Sequence, residues 1–98
     1  MTRIAHEPIH PGEILLDDFL TPMGISQSRL ARAMHVPRRR INEIVHGTRR
    51  ITPATGLRLS KAFGVSESFW IELQADYDIA VVKTQRSDAL AEVEHLGA

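Results

Sequence analysis

The sequence predicts an all-α fold: five short helices, the second and third forming a helix-turn-helix, followed by a C-terminal helical extension. Two observations carry this. Pro and Gly divide the chain into short segments, and within most of them apolar residues recur at intervals of three and four, the period of a helix with one buried face. No segment reads as a strand. A length of 98 residues supports one core but not two independent ones, so residues 1–98 are taken as a single domain. It divides into an N-terminal arm (1–10), a core (11–65) and a C-terminal helical segment (66–98).

The first helix is expected from about Pro11, well placed in a first turn, through Ile14, Leu15, Phe19 and Leu20. It should stop near Thr21-Pro22, because proline disfavours helical geometry in the residue before it. Gly24 permits a turn, and Ser26 can cap the second helix, whose inner face is Leu30, Ala31 and Met34 up to His35. The third starts at about Pro37, turns Ile41, Ile44 and Val45 inward, and ends at Gly47. Thr52-Pro53 pairs a capping hydroxyl with a proline at the first helical position and opens a fourth helix, which buries Leu59 and Phe63 before Gly64. Gly56 inside it costs on the order of 1 kcal/mol relative to alanine, which signals close approach of a neighbouring helix. Ser66 is expected to cap the fifth, Phe69-Trp70-Ile71-Glu72-Leu73 through Tyr77, Ile79 and Val82, and a weaker stretch covers Asp88 to His95.

Formal net charge is zero, but the charges are sorted along the chain. Residues 1–65 carry ten Lys/Arg against five Asp/Glu, a balance of +5, and residues 66–98 carry two against seven, a balance of −5. Between Arg29 and Lys61 nine basic residues face one acid, Glu43, which is the footprint of a phosphate-binding surface. The acidic C-terminal part would avoid DNA.

The helices Gln27–Met34 and Pro37–His46, joined by about two residues, have the layout of a helix-turn-helix. Helices crossing steeply need a small side chain at closest approach, which Ala31 supplies; Val36, Ile41 and Ile44 then fix the second helix to the core. Its arginines are left outward. An α-helix fits the major groove, and arginine can donate two hydrogen bonds to guanine O6 and N7, so Arg38, Arg39 and Arg40 suit base edges and Asn42 could read adenine. Gln27, at the amino end of the preceding helix, is placed for a phosphate. Thr48, Arg49 and Arg50 would grip the backbone beyond the reading helix. Glu43 either accepts from cytosine N4 or neutralises Arg39 or Arg40 one turn away.

These residues resemble the Xre/Cro-type repressor superfamily and, more narrowly, the HigA (VapI-type) antitoxins. The resemblance spans nearly the whole chain. It rests on His10-Pro11-Gly12-Glu13-Ile14-Leu15, Leu30-Ala31, Ile44, and His46-Gly47-Thr48-Arg49-Arg50-Ile51-Thr52. Further on, Leu57-Arg58-Leu59, Phe63-Gly64, Phe69-Trp70 and Leu73-Gln74-Ala75-Asp76-Tyr77-Asp78 complete the pattern. It implies a lambda-repressor-like fold and a homodimer that binds its own operon's promoter and neutralises a RelE-like, HigB-like ribonuclease toxin by forming a complex. Carried over by position, Gln27, Arg38, Arg39 and Asn42 fall where such repressors contact DNA, with Arg40 beside them. Two positions depart from the pattern: His35 stands in the turn where the family often has Gly, and Pro37 replaces the usual Ser or Thr cap. Histidine tolerates left-handed backbone better than most residues.

Other chemistries find little purchase. Without cysteine, disulfides, Cys-ligated zinc and thiol nucleophiles drop out together. His6 and His10 have helical spacing, but Pro8 lies between them, so a turn role is preferred to a metal pair. Ser, His and Asp occur without any local spacing that joins a nucleophile to a base. The reading is therefore no enzyme, no cofactor and no small-molecule substrate. With no apolar run near membrane-spanning length and no secretory h-region, a cytoplasmic location is expected. Trp70 and Tyr77, large aromatics on a late amphipathic helix, finish either a small core or a dimer seam; the seam is preferred, and Trp70, Tyr77 and Ile79 are assigned to it. The acidic C-terminal part and the segment before Pro11 are the surfaces offered to a basic toxin. The alternative is a stand-alone Xre-family regulator without a toxin.

Overall fold

The structure, a computed structural model, describes residues 7–97. Within them every regular element is helical: α1 (Pro11–Ile14), a π-helical segment (Leu15–Leu20), α2 (Thr21–Met23), α3 (Gln27–Met34), α4 (Arg38–Val45), α5 (Pro53–Phe63), α6 (Phe69–Gln85) and α7 (Ser87–Ala91). The all-α expectation holds. The first helix, however, passes through Pro22 instead of stopping before it, since α1, the π-helical segment and α2 follow without a break. Its middle is wound wide: the Thr21 N–H bonds to the Leu16 carbonyl, five residues back. That wider turn relieves the collision a proline ring makes with the carbonyl four residues earlier in a regular helix. Gly24, with φ +64°, ends the helix.

α1 starts on a cap that sequence reading missed. His10 Nδ1 accepts the Gly12 N–H at 2.9 Å, and the imidazole stands edge-on to the Tyr77 ring at 4.9 Å. His10 is thus a turn residue; His6 lies outside the described residues. Partial burial lowers the His10 pKa from its ordinary 6.5, against the opposing pull of Glu13 and Asp78. Protonation places a hydrogen on the nitrogen that must accept. Because the folded pKa lies below the unfolded one, the stabilisation is present above about pH 6.5 and is lost as pH falls through the folded value. We expect thermal stability to decline across that window by the worth of one cap, about 1 kcal/mol. His10→Asn keeps an acceptor without titrating, so its melting temperature should be less pH-dependent; identical profiles would refute the assignment.

The core comprises Leu15, Leu20, Leu30, Ala31, Met34, Ile41, Ile44, Ile51, Leu59 and Trp70. Trp70 is 0 % exposed, and Phe19, Phe63 and Phe69 surround its indole with ring centroids 5.0, 6.1 and 5.2 Å away. Two glycines mark where helices come closest. A Cβ on Gly12 would lie 1.8 Å from the Ile44 carbonyl oxygen, so α1 rests directly on the backbone of α4. A Cβ on Gly56 would meet Ile71 at 3.0 Å, which identifies α6 as the neighbour expected there.

Two boundaries differ from expectation. The N-cap of α6 is Ser68, without a side-chain bond, while Ser66 contributes only its carbonyl, to the Phe69 N–H. The last helix covers Ser87–Ala91, shorter than the expected stretch to His95, and every residue from Val82 to Gly97 is exposed. With no core to lie against, that stretch has only local bonds to hold it. The outline is accordingly long, 51 × 29 × 22 Å.

Candidate nucleic-acid interface

Ser26 opens α3 as expected, its Oγ accepting the Arg29 N–H at 3.0 Å. α3 closes at His35 in the left-handed region, φ 57° and ψ 45°. There the Val36 N–H reaches back to the Ala31 carbonyl at 3.0 Å, a bond that turns the chain sharply into α4. Pro37 precedes α4 without any side-chain cap bond. Ile41 and Ile44, both 0 % exposed, seat the helix. Its other faces carry Arg38 and Arg39, exposed, and Arg40, Asn42 and Glu43, half-buried.

The structure brings several predicted residues together. Asn42 Nδ2 donates to Gln27 Oε1 at 3.1 Å, which ties the start of α3 to the middle of α4. That bond uses one side of each amide and leaves the Gln27 donor and the Asn42 acceptor for a base or a phosphate. Glu43 joins two more: its Oε1 accepts from Arg49 Nε at 2.9 Å, and its Oε2 lies 3.5 Å from Arg39 Nε. Of the two roles open to Glu43, neutralising Arg39 is thus realised in the free protein. The hydrogen bond from Arg49 above all, helped by the charge of Arg39 and opposed by desolvation, holds the Glu43 carboxyl below the usual range. Thr48 caps the end of α4, its hydroxyl donating to the Glu43 carbonyl at 3.2 Å and its N–H to the same oxygen at 2.9 Å.

Arg50, expected beside Arg49 and Thr48, reaches toward α6 in the free protein. Its Nη2 and Nη1 donate to the two oxygens of Asp78 on α6 at 2.8 and 3.4 Å. Gln74, buried beneath, accepts the Ile51 N–H at 2.7 Å and donates to Asp78 at 3.0 Å. The two-pronged contact, with the amide of Gln74, orients that guanidinium toward α6, and the Arg50 contact above all keeps the Asp78 pKa below its ordinary value. The sequence held no local sign of this network, because Arg50 and Asp78 stand 28 residues apart.

The three residues assigned to a dimer seam fall in three places. Trp70 is a core residue with no surface to offer a second copy, which corrects that assignment; the aromatic cluster around it accounts for its burial. Tyr77 faces His10 and lines a groove of about 280 Å³ with Ile9 and Leu73. Ile79 is 54 % exposed, beside Val82 and Leu90 on another face. Among the described residues, no three His, Asp or Glu side chains cluster as a metal site, and no helix is long and apolar enough to cross a membrane.

Two short helices, a left-handed turn and an outward face rich in arginine define a helix-turn-helix module of the kind that lays its second helix in the major groove. The family model for this module, HTH_3, described as helix-turn-helix, matches residues 18–70. Virulence-associated protein I of Dichelobacter nodosus is 46% identical over 78 residues, 80% of this chain and 72% of its own length. The structure of Pseudomonas aeruginosa antitoxin HigA with the higBA promoter superposes with a TM-score of 0.86 at 39% identity, covering 93% of this chain and 100% of that one. Antitoxin GraA in complex with its operator does so with a TM-score of 0.87 at 33% identity, covering both chains completely. The chain belongs to the HTH_3 helix-turn-helix family and, within it, to the HigA (VapI-type) antitoxins.

Proposed function

We propose that the protein is the antitoxin and autorepressor of a type II toxin-antitoxin operon. It binds its own promoter as a dimer and neutralises a RelE-like, HigB-like ribonuclease toxin by forming a complex. The observation that carries the DNA-binding half is the arginine-bearing face of α4, turned outward by the burial of Ile41 and Ile44. The HigA and GraA structures, similar over nearly the whole chain, are of antitoxins with promoter or operator DNA. Residues 11–65 serve as the DNA-binding core, with Gln27, Arg38, Arg39, Arg40, Asn42, Thr48 and Arg49 at the duplex. Residues 66–98 serve as the dimerisation segment, where Ile79, Val82 and Leu90 present an apolar surface. A two-fold dimer would set its reading helices about 34 Å apart, one turn of duplex. The acidic C-terminal part is the surface offered to a basic toxin.

A gel shift on the protein's own promoter over a salt series tests the reading. A promoter fragment should bind far more tightly than a scrambled one of the same length; equal affinities would overturn the repressor role. Arg39→Ala should weaken promoter binding by about 1–3 kcal/mol and relax preference at one base pair. Arg49→Ala should weaken binding to all DNA alike and flatten the salt dependence by a slope of about one. Co-expression with the product of the adjacent reading frame tests the other half: the pair should co-purify and growth arrest should be relieved. Absence of both outcomes would leave a stand-alone regulator.

A further inference from the structure

We infer that Glu43 sets the specificity of the DNA interface by holding Arg39 and Arg49 on one carboxylate, so that duplexes without the right bases are bound weakly. The inference rests on the DNA-binding half of the reading above. A carboxylate on the face of α4 that carries the arginines opposes the phosphates that face must meet, and within Arg29–Lys61 it is the lone acid. It lies where the two parts of the interface join. Arg39 comes from the first turn of α4, and Arg49 comes from the loop beyond its end. Together with Pro37 and Arg40, these three residues line a concavity of about 240 Å³.

The two arms of the bridge are unequal. The Arg49 arm is short, 2.9 Å, and its side chain is 46 % exposed, whereas the Arg39 arm is 3.5 Å with Arg39 87 % exposed. Arg39 is therefore released readily and Arg49 less so. A phosphate that approaches Arg49 must displace Glu43 and meets its negative charge as it does. That opposition applies to every sequence. A cognate duplex repays it, because Arg39 gains two acceptors on guanine and the freed carboxylate can accept from a cytosine N4 amino group in the major groove. Non-cognate bases leave the carboxylate against phosphate without that return. Glu43 thus lowers affinity for all DNA and lowers it least for the operator.

The test compares wild type with Glu43→Gln and Glu43→Asp, measuring dissociation constants for a promoter fragment and a scrambled fragment between about 50 and 200 mM salt. Glutamine keeps the shape and an acceptor but removes the charge. For Glu43→Gln we expect binding of scrambled DNA to tighten about tenfold with a salt slope steeper by about one, while promoter affinity changes less. Glu43→Asp keeps the charge and should leave scrambled DNA weakly bound. A helix-supporting role alone would instead shift melting temperature and affect both fragments equally. The proposal is overturned if Glu43→Gln retains the wild-type ratio of promoter to scrambled affinity, or binds scrambled DNA more weakly. If wild type itself shows no promoter preference, the DNA-binding reading fails, an outcome distinct from failure of Glu43 alone.

Discussion

Gly12→Ala is expected to lower the melting temperature by about 15 °C and to abolish promoter binding at temperatures where the variant is still folded. The added methyl would sit 1.8 Å from the Ile44 carbonyl oxygen, and no rotamer change relieves a collision with backbone. Either α1 or α4 must move. Overpacking of this kind costs about 3 kcal/mol, and each kcal/mol shifts the transition of a domain this size by roughly 4–8 °C. Ile44 belongs to α4, so displacement there tilts the helix that carries Arg38, Arg39 and Asn42. Gly24→Ala is the control. Gly24, unlike the helical Gly12, is left-handed with φ +64°, and a Cβ there meets nothing within 4 Å. It should cost about 1 kcal/mol from backbone strain alone and leave the α1 to α4 contact intact. Thermal melts with matched gel shifts decide the matter, and a Gly12→Ala loss no greater than that of Gly24→Ala would show that α1 yields freely.

Trp70→Ala should cost about 3–5 kcal/mol, the range for removing a large buried aromatic side chain. The indole is wholly buried among Phe19, Phe63 and Phe69, so truncation opens a void that three rings cannot fill without leaving their rotamers. The loss should be the same at every protein concentration, because it arises inside one protomer. A residue of a dimer seam would give the opposite pattern, with stability recovered as concentration rises. Trp70→Phe refines the argument. The Trp70 indole N–H has no hydrogen-bond acceptor among the described residues, so phenylalanine removes volume but also an unsatisfied donor, and should cost clearly less than alanine. Equal costs for the two variants would mean that the void fills by collapse.

Much of the fold was legible because its punctuation is local. Ser26 and Thr52 cap the helices they precede, and Gly24, Gly47 and Gly64 adopt the left-handed conformation their positions suggest. Each of these is decided by a residue and its near neighbours along the chain. Pro22 was misjudged by the same local logic, since a wide turn upstream removes the clash that the rule assumes. The inward faces of α3 and α4 followed from helical period, which is also why their outward arginines could be named. What escaped were interactions whose partners are distant in sequence. Arg50 looked like a phosphate contact until Asp78, on another helix, was seen to hold it. Trp70 reads equally as a core or a dimer-seam aromatic from its place on a late helix, and only its packing against Phe19 and Phe63, some fifty and seven positions back along the chain, decides for the core. His10 was dismissed as a metal ligand without the cap role being recognised, since histidine is a rare acceptor at that position.

The way α4 is held also separates what it reads from how it stands. Two wholly buried isoleucines and one backbone approach from Gly12 hold it in place, while positions 38–40, 42 and 43 lie on its other faces. On the proposed reading, those five letters form an address label fastened to a common chassis. Rewriting a letter of that label would redirect the protein to a different stretch of duplex while the chassis beneath keeps its shape.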